Sequence, residues 1–430
     1  MPSLIPPPHK HSIELIWLPK PYKEQHYCRG QEPRKRWLCG FARRGSSQWH
    51  IKVSFCGSLH EDMRVRLDIR KRRRHLEELC QHLDWDDLRF LDDTVTEVFI
   101  RRDGDKMGPG HEWDFPVCDR VLRMNGTLSP DCEFAPYVAQ LRFCLRVDPF
   151  HVRFPPFDYN AGIPTKELSD INKIHDLSMD RVHEVRLVGD DKPYIYKHVD
   201  MLTPLYEPQE SEALDQELRN LQLIRGVEGI VQLVAAVVSR NPYQTVQDVE
   251  DSHTIQINGF RKFKPQVVLR GLLLEYHPNG TLKYALQSPQ PNPGRPFRKW
   301  SLQISLAVSR LHERGIAHMD LKPSNVVIDA DDNAVLIDIS GIGGVTPEYL
   351  APEMYDVSEY DVSDLLSINV EIRMRNDIWA LGKMISQMAD ISIDNTEKQQ
   401  LRHIALSAMA NEPSSRTALP SIISSLLRSS

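Results

Sequence analysis

The chain has 430 residues, enough for two or three domains with cores of their own, which excludes a small scaffold held together by staples. Hydrophobic residues make up 41% and charged residues 26%, which excludes a largely disordered chain and a membrane-embedded one. The net charge of -6 gives no large positive field to hold a polyanion, so no nucleic-acid partner is expected.

The first twenty residues are broken by Pro2, Pro6, Pro7 and Pro8 and lack the apolar stretch of a signal peptide. No apolar run approaches the roughly 20 residues that span a bilayer. The expected location is the cytoplasm or nucleus, with no membrane partner. Cys28, Cys39, Cys56, Cys80, Cys118, Cys132 and Cys144 all fall in the first third of the chain. Their irregular spacing and odd number support neither a zinc site nor a disulfide framework, and they read as reduced, mostly buried thiols. Five of the seven tryptophans, Trp17, Trp37, Trp49, Trp85 and Trp113, lie in the same stretch, which marks a folded module.

Within that module Ile51 to Phe55 alternates as a strand does, residues 138–147 read as a second strand, and residues 62–83 as a charged helix. The run Arg70-Lys71-Arg72-Arg73-Arg74 is open to three readings: an import signal, a phosphate-binding patch, or a solvated helix face followed by Glu77 and Glu78. Residues 1–150 carry 25 Lys+Arg against 22 Asp+Glu, the remainder 28 against 37, so the two parts differ in character. Proline and aromatics crowd residues 149–164, the composition of a linker or wrapping segment. Residues 238–263 read as a polar insertion between apolar strands.

The most informative segment is His318-Met319-Asp320-Leu321-Lys322-Pro323-Ser324-Asn325, which follows a helix with an apolar stripe and precedes the strand Val326 to Ile328. It sets a carboxylate, an ammonium and a carboxamide within six residues. Phosphoryl transfer needs an acceptor hydroxyl held in line, a cation near the moving group and oxygens for Mg²⁺. Here the chain resembles the eukaryotic protein kinase family, whose pattern is H-R-D-L-K-P-x-N, and the lysine two residues after the aspartate is similar to the serine/threonine branch. The resemblance continues through Asp338-Ile339-Ser340-Gly341 in the place of D-F-G, Ala351-Pro352-Glu353 in the place of A-P-E, Asp377 at the start of the central helix, and Arg416 as the partner of Glu353.

Upstream, Tyr194-Ile195-Tyr196-Lys197 alternates as a strand and resembles V-A-I-K, with Glu217 about 20 residues on in a helix over residues 212–224. Glu210 and Glu212 are rivals to Glu217, and an ordinary surface lysine is the other reading of Lys197. Leu272 to Leu282 resembles the hinge between two lobes.

The resemblance implies an α+β, two-lobed fold over residues 165–430, with a β-rich small lobe over about 165–276 and a mainly helical large lobe over about 280–430. Residues 1–150 would form a separate α+β domain, with residues 151–164 as linker. It implies a serine/threonine-protein kinase using ATP and Mg²⁺ on a protein substrate, with a partner of the first domain left unidentified. Asp320 would orient and deprotonate the acceptor hydroxyl and Lys322 would stabilise the moving phosphoryl group. Lys197 paired with Glu217 would hold the phosphates, the backbone of Glu275 and His277 the adenine edge, and Asn325 and Asp338 the metal. A catalytically weak scaffold with the same fold is the alternative.

Four features depart from the pattern. The glycine-rich phosphate cover is missing, because residues 176–185 contain no glycine; Arg181 is a candidate replacement. Met319 stands where many members carry an arginine that binds a loop phosphate. Few residues separate Asp338 from Thr346, too few for a phosphoregulated loop. The chain passes from the central helix almost directly into the next, so the helix that commonly docks protein substrates is expected to be short or absent.

Overall fold

The computed structural model describes residues 12–25, 32–59, 67–103, 118–178, 181–199, 208–246, 254–255, 267–287, 294–342, 346–359 and 367–428. Cys28 and Trp113 lie outside them. The chain divides into two compact units, one joining residues 1–151 to 240–266, the other joining 152–239 to 267–430.

In chain order the strands are β1 (Glu14–Gln25), β2 (Lys35–Arg44), β3 (Ser47–Cys56), β4 (Phe90–Leu91), β5 (Val95–Arg102), β6 (Arg120–Val121), β7 (Leu141–Val147), β8 (Thr165–Glu167), β9 (Ile171–Ser178), β10 (Val182–Leu187), β11 (Tyr194–His198), β12 (Leu233–Arg240), β13 (Thr254–Ile255), β14 (Val267–Glu275), β15 (Val326–Ile328) and β16 (Ala334–Leu336). The helices are α1 (Ile69–Gln81), α2 (Pro208–Leu223), α3 (Leu282–Gln287), α4 (Phe297–His312), α5 (Val370–Ile391), α6 (Asn395–Ala408) and α7 (Leu419–Arg428).

The first unit is a six-stranded sheet in the order β1-β2-β3-β5-β7-β6. Strands β3 and β5 run parallel, which requires a crossover, and α1 supplies it. Ile51, Val53 and Phe55 turn one face of β3 into a core shared with Leu76, Leu79 and Cys80 of α1, spaced as one helix face requires. The intervening Lys52 and Ser54 face the other way and are closed off by charge: Lys52 Nζ lies 2.7 Å from Asp148 Oδ1, and Ser54 donates to Glu97 at 2.5 Å.

The helix begins at Ile69 because the Asp68 side chain accepts the Lys71 N–H at 2.8 Å; residues 62–66 of the expected helix lie outside the described ones. It also contains the basic run. Arg72 is buried on Glu24 at 2.6 and 2.8 Å, Arg73 pairs with Glu77 at 2.7 Å, and Arg70, Lys71 and Arg74 face solvent, the arrangement of a solvated helix face. The strand expected from residue 138 starts only at Leu141, since Pro136, which has no N–H, opens a tight 3-10 turn over Ala135–Gln140. None of the six described cysteines forms a disulfide; Cys56, Cys80, Cys118 and Cys132 are buried, and Cys39 and Cys144 half-buried.

The polar insertion belongs to this first unit and so interrupts the span expected as one domain. Its polar groups find their partners here: Asp93 and Thr245 exchange hydrogen bonds at 2.9 and 3.0 Å, Gln48 and Val246 pair at 2.9 and 3.2 Å, and β13 lies parallel to β4. Trp49, fully buried, donates its indole N–H to Thr254 at 3.1 Å.

The second unit begins with the proline-rich segment, which wraps rather than idles: Pro155 and Phe157 make backbone hydrogen bonds to Leu269 and Val267 at 2.8 and 3.0 Å, and Phe154 stacks on the Arg270 guanidinium. A six-stranded sheet follows in the order β8-β12-β14-β11-β10-β9. Strand β14 is buried on both faces, and Gly271 is required there: a Cβ would stand 2.5 Å from the Lys197 carbonyl oxygen. The remainder is mainly helical, with the small β15-β16 hairpin. Its core joins Trp300, Ile304, Val308 and Leu311 of α4 to Leu381, Met384 and Met388 of α5. Helix α5 starts earlier than Asp377, at Val370, because Asn369 caps it through the Glu371 N–H at 2.8 Å. Only three residues separate α5 from α6, so no helix stands between them. No helix of the described residues is long and apolar enough to cross a membrane.

Candidate functional site

Strand alternation puts Lys197 on the half-open face of β11, and the Leu214, Leu218 and Leu221 stripe of α2 turns Glu217 inward beside it. Lys197 Nζ lies 2.5 Å from Glu217 Oε2 and also bonds Asp338 Oδ1. Glu210 and Glu212, the rivals, are not its partners here. Burial alone would depress the ammonium of Lys197; the charges of Asp338 and Glu217 outweigh it and raise the group above its usual range. Burial also pushes Glu217 up, partly offset by Lys197, whereas for Asp338 the lysine outweighs burial and holds the carboxyl below its usual range. The Glu217 side chain is 1% exposed and that of Asp338 39%, so the first is an internal anchor and the second keeps an open face.

Asp338 itself sits at φ 65°, a left-handed conformation uncommon for a side-chain-bearing residue, and Gly341 at 73°, where a Cβ would lie 2.7 Å from the Ala317 carbonyl oxygen. Between them Ile339 is fully buried in the core, so the extra residue relative to D-F-G is absorbed by a turn with left-handed ends. Buried Asn220 fastens this turn to α2: its Nδ2 donates to the carbonyls of Ile339 at 2.7 Å and Ser340 at 3.1 Å.

The loop between α4 and β15 gathers a second group. Asp320 Oδ2 accepts from Lys322 Nζ at 2.5 Å and Asn325 Nδ2 at 3.0 Å, while its Oδ1 accepts from the Thr346 hydroxyl at 2.7 Å. Lys322 also donates to Thr346 at 2.9 Å. Asn325 Nδ2 is further committed to the Asp320 carbonyl at 2.9 Å, which leaves its Oδ1 without a hydrogen bond among the described residues. An oriented carboxamide oxygen and the open carboxylate of Asp338 are hard oxygen donors, the kind Mg²⁺ takes. The residues therefore fit a Mg²⁺ ion.

Asp377, fully buried at the base, accepts the backbone N–H groups of His318 and Met319 at 2.8 and 2.9 Å and lies 2.9 Å from His312 Nε2. His318 Nε2 bridges to the Ile337 carbonyl at 2.9 Å, joining this loop to the strand end that carries Asp338. Arg416 grips Glu353 with two bonds of 2.6 Å.

At the end of β14 the Glu275 carboxylate accepts the Gln232 N–H at 3.1 Å, and the His277 ring nitrogen lies 3.3 Å from the same carboxylate without hydrogen-bond geometry. The His277 amide is not used by any backbone hydrogen bond among the described residues. The β9-β10 hairpin covers the place of the missing glycines; residues 179 and 180 lie outside the described ones.

All eight residues singled out from sequence thus lie on these elements, with Lys197, Glu217 and Asp338 in one cluster and Asp320, Lys322 and Asn325 in another. Three contributors went unread. Thr346 enters the sequence reading only as the end of the short loop after Asp338, although its place in Val-Thr-Pro before the A-P-E segment is a usable signal. Asn220 and His312 carry no local signal, because their partners are 119 and 65 residues away.

The protein kinase domain family matches residues 181–427, more than half of the chain. The chain is similar to protein kinase C zeta type of Oryctolagus cuniculus, 33% identical over 144 residues, or 29% of this chain and 22% of that one. It is 32% identical over 128 residues to atypical protein kinase C of Drosophila melanogaster, and 25% over 131 residues to serine/threonine-protein kinase ATG1b of Arabidopsis thaliana. Each match covers 27% of this chain, and 19% and 17% of the relative. The chain spans less than a quarter of the length of these relatives. Residues 1–151 of its first unit lie outside that range while residues 240–266 of the same unit lie within it, and its second unit supplies the lysine, loop and helix features described above: the chain belongs to the protein kinase domain family.

Proposed function

We propose that the protein transfers the γ-phosphoryl group of ATP to serine or threonine hydroxyls of a protein substrate. The observation that carries this is the Lys197 ammonium held at once by Glu217 and Asp338, since that three-way contact joins the small-lobe strand, α2 and the metal-binding turn in one arrangement. Lys197 would contact the α- and β-phosphates, and the His277 amide with the Glu275 carbonyl would take the adenine edge. Asn325 Oδ1 and Asp338 would hold Mg²⁺, which when bound neutralises phosphate charge. Asp320 would accept the proton of the incoming hydroxyl, Lys322 would stand beside the moving phosphoryl group, and Thr346 would keep both in register.

The acceptor class is taken from Lys322, two residues after Asp320 as in the serine/threonine branch, where it contacts both Asp320 and Thr346, and the relatives' names agree. The glycine-free hairpin favours a second reading, a scaffold that binds partners without turnover. Wild type and Asp320→Ala incubated with labelled ATP, Mg²⁺ and mixed acceptor proteins separate the two. A drop of about 10³-fold supports the kinase; equal incorporation supports the scaffold.

A further inference from the structure

We infer that Arg181 makes with its side chain the phosphate contact that glycine backbone makes elsewhere in such hairpins, and that Glu210 holds the guanidinium until a phosphate displaces it; this rests on the nucleotide site proposed above. The backbone of Arg181 is already committed. Its N–H donates to the Ser178 carbonyl at 2.8 Å and its own carbonyl accepts from His198 at 3.0 Å, so the N–H is not available to a phosphate. A phosphate contact from this residue therefore has to come from the guanidinium.

That guanidinium is well placed. The next residue, Val182, pairs directly with Lys197, so Arg181 sits at the hairpin tip beside the lysine strand. Arg181 Nη1 lies 2.6 Å from Glu210 Oε1. Glu210 and Glu217 are seven residues apart on α2, two turns along one face and about 10 Å along the axis. Helix α2 therefore holds two cations in a row, Lys197 through Glu217 and Arg181 through Glu210, a spacing that suits a chain of phosphates.

Charge points the same way. Lys197 already faces two carboxylates, Glu217 and Asp338, and Glu184, by pairing with Ile195, lies on the same face of the sheet as Lys197. A polyphosphate brought there without glycine amides needs another donor. The Arg181 side chain is 46% exposed, so its pair with Glu210 is weakly held and exchangeable for a doubly charged, bidentate phosphate.

The test is a titration of the purified full chain with MgATP and with adenosine, which lacks phosphates. Arg181→Ala is expected to weaken MgATP about tenfold and leave adenosine unchanged. Arg181→Lys should recover part of the loss, and Glu210→Gln should tighten MgATP about two- to fivefold by releasing the guanidinium. An unchanged ratio of the two affinities in Arg181→Ala overturns the inference, as does Glu210→Gln weakening MgATP as much as Arg181→Ala does, because the ion pair would then only hold the hairpin to α2. Wild type that binds neither ligand overturns the nucleotide site itself, and this inference with it.

Discussion

Asp377 and Met319 are bound through one hydrogen bond: the carboxylate Oδ1 accepts the Met319 backbone N–H at 2.9 Å while Met319 stands at φ 67°. A left-handed conformation at a side-chain-bearing residue costs about 1–3 kcal/mol, and it persists only where surroundings enforce it. Removing the carboxylate also takes the partner from the His318 N–H and from the His312 ring nitrogen. Asp377→Ala is expected to lower stability by about 3 kcal/mol and to reduce phosphoryl transfer about a hundredfold by releasing Asp320 from position. Urea unfolding and single-turnover transfer check the two parts.

Glu97 in the first unit is fully buried yet ionised. Burial would raise its carboxyl, but Lys52, Lys35, Arg146 and the Ser54 hydroxyl outweigh it and bring it down to about 2. A depressed carboxyl contributes stability that is complete above its unfolded value and is lost as pH falls toward the folded value. Between pH 7 and pH 2 this amounts to about 3 kcal/mol, disappearing below about pH 4.3. Urea midpoints at pH 5, 4 and 3, followed by tryptophan fluorescence, should fall steeply in the wild type. The fall should be shallower in Glu97→Gln.

Thr245 lies in the insertion but stabilises the first unit. Its N–H and hydroxyl both engage Asp93, whose φ of 52° needs that support. Thr245→Val keeps the N–H bond and removes the hydroxyl acceptor, at a cost of about 1–2 kcal/mol. Replacing residues 240–266 with a short glycine-serine linker should cost more, since the Gln48–Val246 pairing and the Trp49–Thr254 bond go too. A linker variant whose first unit unfolds at the wild-type urea concentration would contradict this.

Gly271→Ala tests the small-lobe packing. The added methyl would strike the Lys197 carbonyl and the Tyr196 ring, displacing the strand that carries the lysine. Overpacking of this kind costs about 1–3 kcal/mol. MgATP affinity should weaken in the same variant, measured by titration.

The elements that carry the candidate site could be located from sequence because each is a short contiguous pattern: His318 to Asn325 between an apolar helix and a strand, Asp338 after a strand, Lys197 on an alternating run. Even the Lys197–Glu217 pair was accessible, since strand and helix each have their own periodicity. What could not be read depends on partners far along the chain. Nothing local in residues 240–266 says that Thr245 will bond Asp93, 152 residues earlier, or Thr254 the Trp49 indole, 205 residues earlier, and nothing local in Arg72 says that Glu24 will bury it. The left-handed turn from Asp338 to Gly341 was equally hidden. It is set by Asn220 on a different element and by the closeness of Ala317.

Phosphoamino-acid analysis of acceptor protein, after incubation with wild type or Lys197→Met in labelled MgATP, tests the central claim most directly. The account predicts label on serine and threonine with the wild type and a loss of about 10²-fold or more with Lys197→Met. Label confined to tyrosine, or equal label from both proteins, would contradict it.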